Sequence, residues 1–167
     1  MRRSVDEEKR RKKCVMEKVK SQIQVRNCQK KWVDTDFLKK AALHTLEEEL
    51  IKANKQVSIA LVDNKKIIEL NRRFRGINEV TDVLAFPLGG EFVSTEDLMG
   101  EVIISVEAAE KQARERKHSS REELALLVVH GILHLLGYTD KEEAEREVME
   151  DRERSILKSL GMKDNLI

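Results

Sequence analysis

The segment that most constrains this chain is Leu124 to Leu136. It reads Leu-Ala-Leu-Leu-Val-Val-His-Gly-Ile-Leu-His-Leu-Leu, apolar on every side except for two histidines. A helix with no polar face belongs in the interior. It falls well short of the ~20 residues needed to cross a bilayer. The flanks define it: Ser119 or Ser120 can cap it, with Glu122 or Glu123 closing a capping box, and Gly137 stops it. The spacing predicts a helix over 122–136, with the remaining elements wrapped around it.

The flanking segments suit that role. Ile23, Val25 and Asn27 alternate with polar residues as a half-buried strand does. Asp34 can cap a helix to about Ile51 whose apolar positions recur at helical spacing, and Asn54 to Gln56 is a turn. Val57 to Val62 is an interior strand, a basic helix follows to about Phe74, and Gly76 to Glu79 is a loop. Thr81 to Phe86 is a strand closed by Pro87, which has no amide proton for a ladder; Gly89 to Asp97 is a polar loop; Gly100 to Ser105 is a further strand. Helices are expected over Val106 to Lys117 and from about Lys141 to Leu160. The fold class is therefore α+β, with a small mixed sheet of about four strands, five to six helices and the apolar helix at the centre. Its 167 residues, 40% hydrophobic, suffice for one domain over 21–167, preceded by a basic extension over 1–20.

The chemistry concentrates in His130-Gly131-Ile132-Leu133-His134. Residues four apart share one helix face, one turn up, so two imidazoles can grip one metal ion. A metalloprotease would carry a general base beside the first histidine; Gly131 has no side chain, so any activation of water comes from elsewhere. The glycine makes sense if a substrate, strand or loop approaches closely. A third ligand is expected after the Gly137 turn, where Asp140 sits. Two histidines and a carboxylate are a known zinc set, although Asp140 can also serve as a helix cap, or lie in the first turn of a helix capped by a Thr139–Glu142 box.

These residues resemble a known family. His130-Gly131-Ile132-Leu133-His134-Leu135-Leu136-Gly137-Tyr138 is similar to the signature of the YbeY endoribonucleases. Asn71-Arg72-Arg73-Phe74-Arg75-Gly76, Thr81-Asp82-Val83-Leu84-Ala85-Phe86-Pro87 and Gly100-Glu101-Val102-Ile103-Ile104-Ser105 agree with three further segments, in order, so that the likeness spans about residues 22–160. The resemblance implies a zinc-dependent, single-strand-specific endoribonuclease. Its work would be 16S rRNA 3′-end maturation and ribosome quality control, in contact with the small ribosomal subunit and one of its proteins. The family's ligands are three histidines. Carried over, the first two are His130 and His134, and the third falls on Asp140, where this chain reads Gly-Tyr-Thr-Asp instead of Gly-Tyr-Asp-His. The family's arginine falls on Arg75, which with His130 makes the expected catalytic pair. A guanidinium beside a metal would clamp a phosphate bidentately.

Charge is balanced overall, with 32 basic and 31 acidic residues, but it is biased locally. Residues 65–75 hold five basic groups against Glu69 alone, so an anionic strand is an expected partner, helped by Lys111, Arg114, Arg116, Lys117 and His118. Aromatic residues are only 4% of the chain, so recognition is expected to lean on phosphate more than on stacked bases. His118 could serve as a proton shuttle or a phosphate contact, but reads first as a solvated loop histidine. The two cysteines, Cys14 and Cys28, match no redox motif, and the N-terminus lacks the apolar core of a signal peptide; a monomer in the reducing cytoplasm, with no membrane partner, is the expectation. Two alternatives stay open: a hydrolase of another substrate such as a peptide, and a ribosome-associated binding factor with a structural or weakened metal site.

Overall fold

A computed structural model describes residues 23–51, 55–87, 98–163 and 166–167. The expected N-terminal extension, the Gly89 to Asp97 loop, and Asn54 of the expected turn lie outside these residues. Nine elements follow one another: β1 (Ile23–Asn27), α1 (Thr35–Glu48), β2 (Gln56–Val62), α2 (Asn64–Arg75), β3 (Val83–Pro87), β4 (Leu98–Ser105), α3 (Val106–Arg116), α4 (Ser120–Leu135) and α5 (Glu143–Ser159). The strands form one mixed sheet in the order β1-β2-β4-β3, with β1, β2 and β4 parallel and β3 antiparallel along the edge of β4.

Strand alternation sorts the apolar residues between the two sheet faces. Val57, Ile59 and Leu61 of β2 join Val102 and Ile104 of β4 on the face covered by α1 and α4. Ala60, Val62, Leu84 and Ile103 point the other way and meet Ile67 and Leu70 of α2. α4 lies against α1, α3, α5, β3 and β4, so the apolar helix is central as expected. On its far side Leu126, Val129 and Leu133 pack with Met149, Ile156 and Leu157 of α5.

The capping residues set the boundaries. Asp34, Asp63 and Ser105 each accept an amide hydrogen bond in the first turn of the helix that follows, and Ser119 and Glu122 form the full capping box of α4. The helix thus begins at Ser120, earlier than its apolar run. β3 starts at Val83 rather than Thr81; the Asp82 carbonyl still accepts the Ser105 amide of β4 at 2.8 Å, while its carboxylate accepts from the Val83 amide at 2.8 Å and from Gln112 Nε2 at 2.9 Å. α5 starts at Glu143, later than expected. The Thr139–Glu142 box does not form; the Thr139 hydroxyl donates instead to the Glu145 carboxylate, which also takes the Glu142 amide at 3.4 Å. Asp140 consequently sits on the connection between α4 and α5, outside either helix.

Gly131 is explained by the sheet. A Cβ there would lie 2.5 Å from Cγ1 of Val102, so the missing side chain lets α4 settle onto β4. Of the three approaches considered for this glycine, the strand is the one observed.

Candidate metal centre

The α4 spacing brings both imidazoles to one face, with Nε2 of His130 3.0 Å from Nε2 of His134. Gly137, with φ at +97°, then reverses the chain, and the Tyr138 amide donates back to the Leu133 carbonyl. The turn is tied down at its far end. The Tyr138 hydroxyl donates to Oε2 of Glu49 at 2.9 Å, and the other oxygen of Glu49 takes Arg152 of α5. This folding back carries Asp140 to the histidines, its Oδ2 3.9 Å from Nε2 of His134. His130, His134 and Asp140 each present one donor atom within 4.8 Å of the others. The two rings are half-buried and the carboxylate is exposed.

The hydrogen bonds on the other ring nitrogens decide what this cluster can hold. Nδ1 of His134 faces the Tyr138 carbonyl at 2.9 Å. A carbonyl only accepts, so Nδ1 carries the hydrogen and the neutral ring turns its Nε2 lone pair inward. Nδ1 of His130 faces Oε1 of Glu153 at 2.5 Å, and the same logic points its Nε2 inward. Two lone pairs and a carboxylate oxygen converging on one point repel one another unless a cation lies between them. In the absence of an ion a proton can do this on the His130 side. Burial would lower the pKa of His130, but the hydrogen bond and charge of Glu153 outweigh burial and raise it. His134 is pushed down by burial and by the neighbouring His130. The donor set and its orientation fit a divalent metal with nitrogen and oxygen preferences.

Two cavities meet at this cluster, sharing Asp82, His130 and Asp140 as lining. One, of about 560 Å³, also holds His134, Pro87 and Arg75. Arg75 is the last residue of α2 and is exposed, and its side chain has no hydrogen bond or ion pair to another described residue. Its place depends on Asn71, a buried side chain whose Nδ2 donates to the Glu79 carbonyl at 3.0 Å and holds the loop after the helix. The other cavity, of about 590 Å³, runs towards α5 and includes Arg116 and Glu153.

All four residues expected at the site, Arg75, His130, His134 and Asp140, therefore border one cavity. Other expectations change. His118 is no solvated histidine: its ring is nearly buried, with Nε2 2.9 Å from the fully buried carboxylate of Glu123. Arg116 reaches the second cavity but is paired with Glu123 at 3.2 Å, and Lys111 lies against Glu115. His44 stays apart, bonded to Ser159. Glu153 went unseen in the sequence. It is one of seven acids over 141–154, and only the packing of α5 on α4 singles it out.

Comparisons with known proteins agree with the geometry. The family model for endoribonuclease YbeY matches residues 8–161, so the match begins within the basic N-terminal stretch. Endoribonuclease YbeY of Caldicellulosiruptor bescii is 40% identical over 136 residues, covering 75% of this chain and 86% of that protein. Its counterpart in Carboxydothermus hydrogenoformans is 48% identical over 106 residues, covering 64% and 73% respectively. The solution structure of TM1509 from Thermotoga maritima superposes with a TM-score of 0.55 at 30% identity, covering 83% of this chain and 91% of that one. No helix among the described residues is long and apolar enough to cross a membrane. On its sequence, its fold and its cluster of two histidines and an aspartate where three histidines are usual, the chain belongs to the YbeY endoribonuclease family.

Proposed function

We propose that this protein is a zinc-dependent endoribonuclease that cuts single-stranded RNA and acts on the 3′ end of 16S rRNA during maturation and quality control of the small ribosomal subunit. The observation that carries this reading is the shared cavity: an arginine without an acidic partner among the described residues borders the same space as His130, His134 and Asp140. A phosphodiester drawn in by Arg75 would have its non-bridging oxygens neutralised by the guanidinium and its phosphorus presented to the cluster. His130, His134 and Asp140 would hold the ion, which when bound supplies Lewis acidity towards a phosphate oxygen or a water. Glu153 keeps Nδ1 of His130 protonated and the ring aimed, and the Tyr138 carbonyl does the same for His134. Residues 21–167 would act as one domain, with 1–20 adding basic contacts to rRNA or to a small-subunit protein, in the cytoplasm and as a monomer.

A peptide substrate is disfavoured by Gly131, which is packed against Val102 and leaves no acid beside His130. The test uses zinc-loaded protein with a single-stranded oligoribonucleotide, the same sequence as a duplex, and an unstructured peptide. Cleavage of the single strand alone is expected, reduced at least tenfold in the R75A variant and abolished in H130A. Elemental analysis should give near-stoichiometric metal in the parent and a clear loss in D140A. Peptide hydrolysis with intact RNA rejects the nuclease, and equal metal in D140A and the parent removes Asp140 from the ligand set.

A further inference from the structure

We infer that Phe74 is a stacking platform for an unpaired base beside the cleaved phosphodiester, and that this ring makes the site prefer single strands. The inference rests on the ribonuclease reading above and deepens it. Phe74 precedes Arg75 at the end of α2 and is 56% exposed. It is held rather than loose: the ring of Phe86 on β3 backs it, with centroids 5.0 Å apart and planes inclined by 59°, and the guanidinium of Arg73 lies 5.3 Å from its centre. Ile77 and Val80, 46% and 47% exposed, give the next stretch of chain an apolar surface as well. Single exposed apolar residues are ordinary on a protein surface, but an anchored aromatic flanked by arginines beside a candidate active site is not.

Its position connects it to the metal cluster. Arg75 and Pro87, the sequence neighbours of Phe74 and Phe86, both line the cavity that holds His130 and His134. On β3 successive side chains point to opposite faces, so Pro87 looks into the cavity while Phe86 packs with the α2 side of the sheet. β3 is an edge strand, with no strand beyond it among the described residues. A polymer leaving the cavity past Arg75 and over this edge arrives at Phe74. The surrounding charge suits a polyanion: Arg72, Arg73 and Arg75 stand in the last turn of α2 with no acid among them, and Glu69, one turn earlier, is taken by Lys66. A base on the ring with its phosphate on Arg75 combines the two elements by which single strands are held, a π-face and a cationic track. A base inside a duplex has both faces covered by its neighbours and cannot use the ring, which gives discrimination against double strands without reading sequence.

The test measures binding of a single-stranded oligoribonucleotide carrying the fluorescent base 2-aminopurine, with metal removed by chelation so that nothing is cut. F74A is expected to bind roughly 5- to 150-fold more weakly, the range for loss of one stacked base, and to lose the quenching that stacking produces. F74Y and F74W should keep both. F74L, which preserves apolar bulk without a ring, should behave like F74A and controls for folding. The dependence of log K on log salt should be unchanged in F74A but shallower by about 0.7 in R75A, since only the arginine releases a counterion. F74A or F74L binding and quenching like the parent would overturn the inference while leaving the nuclease intact, provided the loaded parent still cleaves. A parent that neither binds nor cleaves single-stranded RNA would remove both readings.

Discussion

At the scale of single residues, Glu153 has the least conspicuous sequence position and a large expected effect. It is the one buried acid of its helix, and it meets the ring nitrogen of His130 that the metal would not use. Replacing it with alanine leaves that N–H unpaired and frees the ring to rotate. Zinc affinity, read by competition with a chromophoric chelator, is expected to fall about 10- to 100-fold in E153A. E153Q, which keeps an acceptor but loses the charge, should fall less. Equal affinity in all three proteins would reduce Glu153 to a packing residue. Asp140 tells the opposite story. Its place in the chain was legible because a carboxylate just past a glycine turn has a short path back to the helix it left. The alternative that made it a helix cap, or a first-turn residue after Thr139, does not hold, because Glu145 outcompetes the expected partners for Thr139 and for the amide of Glu142.

At the scale of elements, the close approach of α4 to β4 is the controlling contact. In G131A the new methyl meets Val102, a β-branched residue with little rotamer freedom, so overpacking is expected to exceed the gain of about 1 kcal/mol in helix propensity. Urea unfolding should find G131A destabilised by up to about 2 kcal/mol, the overpacking cost less the gain in propensity. The G131A/V102A double variant should be more stable than the sum of the single losses, because the alanine at 102 vacates the space the new methyl needs. Additive losses would mean that the two positions do not touch. The α3–α4 corner carries a pH dependence. Glu123 is fully buried, and burial, the largest influence, pushes its carboxyl up despite Arg116 and His118. A pKa higher folded than unfolded means the folded state binds the proton more tightly. Stability from this group is therefore complete below the unfolded value and is lost as pH rises through the raised one. Unfolding midpoints between about pH 4 and 8 should show the parent losing ground to E123Q as pH increases, and a flat difference would contradict the shift. The elements themselves were largely readable in the sequence, since α4 is apolar all round and caps such as Asp34 and Ser119 are local signals. What could not be read were facts of docking: the burial of His118 against Glu123, and the exposure of Phe74, whose helix turns its apolar side to the sheet through Ile67 and Leu70.

At the scale of the whole molecule, the sheet and α4 form a frame on which the later elements are laid. The donor residues straddle the boundary of that frame: two on its most enclosed helix, the third on the connection that leads out to α5. A ligand gripped from both sides fastens α5's entry to the frame and leaves the strands as they were. Amide hydrogen exchange should therefore slow on zinc addition chiefly over residues 138–145, with the central strands unchanged, and D140A should abolish that local protection while its strand amides stay as slow as the parent's.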